Sequence, residues 1–235
     1  MQKLWFYALD PIIETNSDPR SFGFRKYRSV KDAAELIRLN CGAVYGKRIV
    51  GNTDIRKFFD TLDHRWVLDN IPMNKKVLEQ FLKGGILDYK NQLYDSLTGV
   101  PQGGVISPTI SNCALNGLEK LVEDIPKCQI VRYADDFLIL SDSEKIINEI
   151  VNPRIEILLK KRGLDINLEK SSIFRIEEGF NYLGYHFREM PDATRTKGTK
   201  KGIFLVKPAK ENVAKLLSNC RAIIKKNKNA NAGFL

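Results

Sequence analysis

Cysteine and histidine are scarce in this sequence. Its 235 residues include four cysteines and two histidines. Cys41, Cys113, Cys128 and Cys220 are scattered along the chain and form no CxxC pair. The pattern therefore indicates neither a structural zinc site nor a disulfide framework, and it fits a reducing compartment.

Long apolar runs are also lacking. A membrane-spanning helix needs roughly 18 or more consecutive apolar residues, and no stretch approaches that length. The opening segment LWFYALDPII is interrupted by Asp10 and Pro11, and no basic segment precedes it. We therefore expect no membrane span and no secretion signal.

Positive charge is what the sequence has in excess. Lysine and arginine number 38 against 28 aspartates and glutamates, which gives a formal net charge of +10 and a pI near 9.4. This balance favours anionic partners, with nucleic acid as the first candidate and a membrane surface as the second. A hydrophobic content of 43% is enough for a sizeable core in one or two domains.

Helix and strand patterns interleave along the chain. Residues 29–44 have the apolar spacing of a helix with Ser29 as its N-cap, and residues 48–59 carry the β-branched residues of a strand. Further elements are predicted as helices at 63–71, 74–82, 109–122 and 144–162, a hairpin at 86–99, and strands in LDINL and FNYLGYHF. Because several connections have the length of hairpins, we predict an α+β fold with a mixed or antiparallel sheet and helices on one face.

The end of the chain is basic and amphipathic. An apolar helical face at residues 213–224 lies beneath basic side chains that include Lys215, Lys225 and Lys226. Two interpretations remain open, namely a surface that contacts phosphates and an ordinary solvated face.

Acidic residues stand at the ends of two apolar strands. Asp54 closes one strand, and Asp135 and Asp136 lie at the turn of the hairpin IVRYADDFLIL. Aspartates are common in turns, so an ordinary turn is one interpretation of the pair. If the two strand ends converge, their carboxylates have the chemistry to hold Mg²⁺, which prefers oxygen ligands and leaves positions free for phosphate oxygens.

Five ordered motifs resemble those of reverse transcriptases. TDIRKFFD, GVPQGGVISPTISNCALNGLE, VRYADDFLIL, GLDINLEKS and FNYLGYHF occur in the family's order, and PQGGVISP together with YADD is most similar to the group II intron-encoded type. Upstream, SFGFRKYRS resembles the family's fingers. The resemblance implies a polymerase palm with partial fingers and the beginning of an α-helical thumb.

The resemblance also implies a metal site. Asp54 and Asp135 match the metal ligands, with the carbonyl of Ile55 as an additional ligand. Asp136 stands beside them and supports the site. The expected cofactor is Mg²⁺ as two ions, with Mn²⁺ as a substitute.

Four further positions match nucleotide contacts in the family. Phe59 occupies the place of a bulky gate against the 2′-OH, Gln102 and Gly103 belong to the PQGG stretch beside the incoming nucleotide, and Lys170 is a basic residue near the site. A core aromatic and a solvated lysine are the alternatives for Phe59 and Lys170.

Nucleic-acid contacts are implied at both ends of this region. Arg25 and Arg28 match the fingers near the template, and Tyr182 and Gly184 match the segment that holds the primer end. The basic helix with Lys215, Lys225 and Lys226 resembles the first thumb or maturase helix. The implied partners are an RNA template, a DNA primer and group II intron RNA.

The resemblance divides the chain at residues 1–48 (fingers remainder), 49–190 (palm) and 191–235 (basic linker and first thumb helix). The family's N-terminal extension, its first fingers motif and the rest of its thumb have no counterpart in the sequence, so we expect a truncated or split form whose missing parts another chain supplies. The implied function is an RNA-directed DNA polymerase in the bacterial cytoplasm or an organelle. The alternatives are an RNA-binding maturase that does not polymerise, and an inactive remnant.

Overall fold

The computed structural model describes residues 1–42, 46–84, 86–87, 93–94, 98–190 and 202–227. Its strands are β1 (Ile49–Ile55), β2 (Ile86–Leu87), β3 (Leu93–Tyr94), β4 (Gln129–Tyr133), β5 (Asp136–Ser141), β6 (Ile166–Arg175), β7 (Phe180–Tyr182), β8 (Tyr185–Met190) and β9 (Ile203–Pro208). Its α-helices are α1 (Gln2–Asn16), α2 (Val30–Cys41), α3 (Phe58–Thr61), α4 (His64–Asn70), α5 (Lys75–Lys83), α6 (Ser107–Leu115), α7 (Glu144–Ile146), α8 (Asn152–Lys160) and α9 (Lys210–Lys226).

A four-stranded antiparallel sheet carries the acidic strand ends. Its strand order is β4-β5-β1-β6. Val50, Val131 and Leu138 point to one face and Ile49, Ile130 and Ile139 to the other, so the strands bury apolar side chains on both sides. The predicted α+β fold is confirmed, and the described strands of this sheet are all antiparallel.

The two faces of this sheet are covered differently. Helices α4, α5, α6 and α8 contribute to a large apolar core on one face. On the other face α2 packs together with a second antiparallel sheet of order β7-β8-β9. The sequence predicted helical cover on one face and did not predict the second sheet.

Helix ends follow the local sequence. Ser29 and Asp32 form a capping box at the start of α2, as the Ser29 N-cap predicted. The helix predicted at 109–122 instead breaks after α6 and resumes as a 3₁₀ turn at Glu119–Val122. Gly117 between them has φ 91°, a conformation that ends helices and favours glycine.

Other sequence predictions need correction. FNYLGYHF is a hairpin rather than one strand, because Leu183 and Gly184 both have positive φ in the two-residue turn between β7 and β8. Helix α1 and strand β9 were not predicted. Pro11 lies inside α1, where a proline normally argues against a helix. The hairpin at 86–99 retains its β2–β3 pairing, and its turn lies outside the described residues.

Helix α9 is exposed along its whole length. No residue of α9 is buried, and Leu216, Ile223 and Ile224 are 59–66% exposed. The predicted amphipathic helix is therefore present, but its apolar face does not join the core of the described part of the chain. Within the same ranges, no helix combines the length and apolarity needed to cross a membrane.

A buried ion pair lies beneath the hairpin between β4 and β5. Arg132 and Glu119 are both fully buried, and Arg132 Nε donates to Glu119 Oε1 at 2.6 Å. Arg132 Nη1 also donates to Asn112 Oδ1 at 3.3 Å and to the carbonyl of Ala134 at 3.2 Å. The network joins β4, the 3₁₀ turn, α6 and the hairpin turn.

We predict that Glu119→Gln lowers the free energy of unfolding by about 3–5 kcal/mol, because it leaves the buried Arg132 guanidinium without a countercharge. Urea unfolding monitored by circular dichroism measures this change. Glu79→Gln is the control, since Glu79 forms its ion pair with Lys83 in solvent and should leave stability nearly unchanged. Equal effects of the two substitutions would contradict a structural role for the buried pair.

Candidate active site

A cleft of about 700 Å³ opens where β1 ends beside the β4–β5 hairpin. Residues from distant parts of the sequence line it, including Asp54, Ile55, Phe59, Gln102, Asp135 and Lys170. The structure thus brings together six of the residues that the sequence analysis selected for metal and nucleotide contacts.

Asp54 is held in place by the neighbouring strand. It pairs with Asn167 of β6, whose Nδ2 donates to Asp54 Oδ2 at 2.9 Å. The Asp54 amide donates to Ser171 Oγ at 3.4 Å. These contacts orient one carboxylate oxygen toward β6 in a half-buried position.

Asp135 lies in the two-residue turn that joins β4 to β5. Ala134 precedes it with φ 57°, which is unfavourable for a residue with a side chain. Two buried side chains hold the peptide carbonyls on either side of Asp135. Arg132 Nη1 donates to the Ala134 carbonyl at 3.2 Å, and the Tyr182 hydroxyl donates to the Asp136 carbonyl at 3.0 Å.

The carboxylates repel one another. Burial raises the pKa of Asp135 above its usual value, and the neighbouring Asp54 raises it further. The pKa of Asp136 is also raised, first by desolvation and then by Asp135 and Asp54. No lysine or arginine in the described ranges forms an ion pair with these three residues.

This donor set fits a hard divalent cation. Asp54 and Asp135 present carboxylate oxygens to one cleft, and the Ile55 carbonyl belongs to a cleft-lining residue. Like charges held together without an ion-pair partner gain stability from a bound cation. Across the described residues no cluster of three His, Cys, Asp or Glu side chains has metal-site geometry, so the exposed Asp136 does not complete a third carboxylate ligand.

Phe59 lies in the cleft because its neighbour anchors it. The Phe58 ring is buried in the core, and the half-buried Phe59 ring contacts it edge to face, with centroids 5.1 Å apart. The carbonyl of Phe59 accepts a hydrogen bond from Val100 N at 2.6 Å. Gly99 also packs here, since a Cβ at this position would lie 2.2 Å from the Phe59 carbonyl oxygen.

Gln102 and Gly103 come shortly after Gly99 and Val100, which contact the Phe59 carbonyl. Gln102 and Gly103 are both exposed, and Gln102 lines the cleft. Gly103 has φ 84° with open space where a Cβ would stand. The PQGG stretch is therefore held beside Phe59 by Gly99 and Val100, which the sequence analysis did not identify.

Lys170 reaches the cleft through an irregularity in β6. The pairing of β1 with β6 shifts between Asn52 and Asp54, so that extra residues of β6 bulge at this point. Glu169 and Lys170 lie in the bulge and line the cleft. The motif NLEKS therefore departs from a regular strand at the position where a basic side chain borders the carboxylates.

Of the two nucleic-acid contacts predicted at the start of the chain, the one at Arg25 needs correction and the one at the partly exposed Arg28 stays a prediction. The Arg25 guanidinium is buried and donates to both carboxylate oxygens of Glu14 and to the carbonyls of Asp18 and Ser21. Arg28 donates to the Pro19 carbonyl and lies over the Phe22 ring. Arg25 therefore stabilises its own loop and presents no guanidinium to a template.

The predicted primer contacts also have internal roles. Tyr182 is 6% exposed, and burial raises the pKa of its phenol well above the usual value, so it stays a hydrogen-bond donor. The Gly184 carbonyl accepts from Ala209 N at 2.9 Å and from Asn212 Nδ2 at 3.3 Å, which docks the start of α9. The buried Tyr182 ring therefore offers no aromatic surface to a primer, while the predicted contact at the partly buried Gly184 stays a prediction. Lys215, Lys225 and Lys226 are exposed on α9 and do not line the cleft.

This chain is similar in sequence to known proteins. The family described as "Reverse transcriptase (RNA-dependent DNA polymerase)" matches residues 1–187. "Protein YkfC" of Escherichia coli (strain K12) is 26% identical over 227 residues, covering 79% of this chain and 59% of that protein. "Group II intron-encoded protein LtrA" of Lactococcus lactis subsp. cremoris is 33% identical over 120 residues, covering 48% of this chain and 19% of that protein.

Solved structures extend the comparison to the fold. Telomerase from Candida albicans, in complex with a TWJ fragment of telomeric RNA, matches with a TM-score of 0.61 at 14% identity over 89% of this chain and 37% of that chain. Apo telomerase from Candida tropicalis, truncated from its C-terminal domain, also has a TM-score of 0.61, at 13% identity. At these identities the likeness concerns the fold alone. The chain spans about three fifths of YkfC and smaller shares of the other proteins named here.

We predict that Tyr182→Phe lowers the free energy of unfolding by about 1 kcal/mol, because the Asp136 carbonyl loses its hydrogen-bond donor while the ring is retained. Urea unfolding measures the change. Tyr7→Phe is the matched control on an exposed helix position. A Tyr182→Phe protein as stable as the control would show that the hydroxyl does not hold the turn.

Proposed function

Because the chain belongs to the reverse transcriptase family, we propose that it is an RNA-directed DNA polymerase of the group II intron-encoded type. One observation carries the proposal. Asp54 and Asp135, far apart in sequence, border one cleft and form no ion pair with a described lysine or arginine, and Phe59 and Gln102 line the same cleft. The reaction is the attack of a primer 3′-OH on the α-phosphate of a deoxynucleoside triphosphate.

The metal in this proposal is Mg²⁺, held as two ions by Asp54, Asp135 and the Ile55 carbonyl, with Mn²⁺ as a substitute. Bound there, it would stabilise negative charge on the attacking and leaving oxygens. Asp136, exposed beside the ligands, adds negative charge that favours cation binding. The raised pKa of Asp135 fits this role, since burial and then the charge of Asp54 disfavour its ionised form, which a bound cation would stabilise.

The chain's other residues orient the substrates. Phe59, anchored by Phe58, packs its ring against the sugar and excludes a 2′-OH, so that deoxynucleotides are preferred. Gln102 and Gly103 border the incoming nucleotide on the opposite side, where Gly103 leaves room for close backbone approach. Lys170 supplies a positive charge to the phosphates from the β6 bulge.

The wider assignment is part of the same proposal. Residues 1–48 belong to the fingers, 49–190 form the palm, and 191–235 begin the thumb. RNA template, DNA primer and group II intron RNA are the partners, and a second chain contributes further fingers and thumb surface. The named relatives come from bacteria, and others from yeast and Euglena, which fits a bacterial cytoplasm or an organelle.

We expect Asp135→Asn and Asp54→Asn to reduce Mg²⁺-dependent primer extension by on the order of 10²–10³-fold or more, because each removes one charged ligand. Single-nucleotide extension of a DNA primer on an RNA template measures this with enzyme in excess, for the chain alone and with an N-terminal fragment of a relative in trans. Electron paramagnetic resonance of added Mn²⁺ provides a second measurement, in which both variants should bind the metal more weakly.

Asp69→Asn is the control, since Asp69 pairs with Lys75 in solvent and does not line the cleft. Extension that survives Asp135→Asn would overturn the metal-ligand assignment. Absence of extension by the wild-type chain in both arrangements would overturn the polymerase proposal.

A second candidate function is RNA binding by a maturase that does not polymerise. The observation that favours it is α9, none of whose residues is buried, so that its basic side chains are all accessible. A helix with this charge and exposure suits contact with the phosphates of a folded RNA. Polymerase and maturase functions are compatible in one protein. The contribution of α9 to RNA binding can be measured apart from primer extension.

We expect replacement of Lys215, Lys225 and Lys226 by Gln to weaken RNA binding and to flatten its salt dependence. Each lost phosphate contact should reduce the slope of log affinity against log salt by about 0.7 on single strands and about 0.9 on duplex. Fluorescence anisotropy over a salt series measures the slope. Replacement of Lys75, Lys76 and Lys83 on α5 by Gln removes the same charge, and an equal effect there would restore the solvated-face interpretation of α9.

A further inference from the structure

The loop between α1 and α2 is held rigidly at its first half. Phe22 N donates to the Arg132 carbonyl at 2.9 Å, and Asn112 Nδ2 donates to the Gly23 carbonyl at 3.0 Å. Gly23 packs so closely that a Cβ there would lie 2.2 Å from Ala134 N. Together with the buried Arg25, these contacts fasten the loop to the turn that carries Asp135.

The same loop turns two aromatic rings outward. Phe24 is 51% exposed and Tyr27 is 102% exposed. Both have left-handed backbone, with φ 59° and φ 60°. Bulky residues are rare in this conformation, in which glycine or asparagine would meet little strain. Since exposed rings gain nothing from the core, the strain indicates that the rings themselves have a use.

Phe24 borders a second cavity of about 420 Å³, which adjoins the cleft. Phe24, Phe59, Gln102, Gly103, Gly104 and Pro108 are among its lining residues. Phe59 and Gln102 also line the cleft that holds Asp54 and Asp135. A strand that passes through the cleft would therefore meet the exposed face of Phe24 at its border, and Tyr27 follows three residues later in the same loop.

Charge favours a nucleic acid over a second copy of the chain as the partner that contacts these rings. The chain carries a net charge of +10, which repels a second copy and attracts a polyanion. Lys26 between the two aromatics is exposed, although it also pairs with Asp10 at 3.0 Å. Aromatic rings beside basic groups are the elements with which proteins bind single-stranded nucleic acid, since every base has a face that can stack.

We propose that Phe24 and Tyr27 form a stacking platform for unpaired bases of an RNA strand that enters the cleft. The inference rests on the proposed function for the identity of the strand, and it adds a binding site that recognises bases without reading their sequence. The rigid anchoring of residues 22–25 keeps the rings in place before the RNA arrives, which reduces the entropy lost on binding.

Binding of the full 235-residue chain to three labelled ligands tests the platform, in the absence of divalent metal and nucleotide. The ligands are a DNA primer on an RNA template with a single-stranded 5′ RNA overhang, the same molecule with abasic overhang positions, and a blunt duplex. We expect Tyr27→Gly and Phe24→Leu each to weaken binding of the normal overhang on the order of tenfold, and to leave binding of the abasic and blunt ligands unchanged. Tyr27→Trp should retain binding because it keeps a ring.

Thermal stability gives a second measurement, in which we expect stability to rise while RNA affinity falls. Tyr27→Gly relieves the left-handed strain and removes no buried surface, so its melting midpoint should rise by about 2–4 °C while RNA affinity falls. Tyr7→Leu, on the exposed face of α1 with ordinary helical backbone, is the control and should leave binding of the overhang unchanged.

Two outcomes would overturn the proposal. One is unchanged affinity of Tyr27→Gly and Phe24→Leu for the normal overhang, and the other is an equal loss on the abasic ligand. A change in oligomeric state of these variants by light scattering, without a change in RNA affinity, would assign the rings to self-association instead. Because binding is measured without metal, this assay tests the stacking platform independently of polymerase activity. Asp135→Asn should therefore retain overhang binding.

Discussion

The buried ion pair between Arg132 and Glu119 is the interaction on which the candidate active site depends. Two charges removed from water are stable only with close geometry and further hydrogen bonds. Arg132 obtains these from Asn112 and from the Ala134 carbonyl, while Asn112 also holds Gly23. One guanidinium therefore ties β4, α6 and the loop before α2 to a single turn, and the position of Asp135 follows from that arrangement.

A rigid scaffold allows the carboxylates to stay close although they repel. Arg132 and Tyr182 hold the carbonyls on either side of Asp135, and Asn167 holds Asp54. Left to themselves, like charges would separate or take up a proton. Burial first, and the charge of Asp54 after it, raise the pKa of Asp135 in this direction. The hydrogen bonds of the neutral scaffold oppose separation of the charges, so the site keeps its geometry for a cation.

Sequence patterns could predict the features that depend on neighbouring residues in the chain, such as strands and the residues at their ends. Apolar strands end in Asp54 and at Asp135, and the family resemblance implied that these carboxylates share a metal site. Antiparallel pairing of β1 with β5 brings the two strand ends to one edge of the sheet. Exposure of single side chains could not be predicted in the same way. Arg25 and Tyr182 are types of residue that often contact nucleic acid, yet partners distant in sequence, Glu14 and Asp136, hold them inside. The positive φ of Leu183, which splits FNYLGYHF, has no signal of its own beyond the glycine that follows.

Charge links the fold to an anionic substrate. Basic side chains are exposed on elements such as α9, and Arg56, Lys57 and Lys170 line the cleft that also contains the carboxylates of Asp54 and Asp135. A polyanion drawn to these basic groups would be repelled by the two carboxylates. A cation bound between Asp54 and Asp135 removes this conflict, since it converts a negative point of the cleft into one that attracts phosphate oxygens. The carboxylates and the basic groups are therefore complementary requirements of the proposed function, and Phe24 borders the cavity that adjoins this cleft.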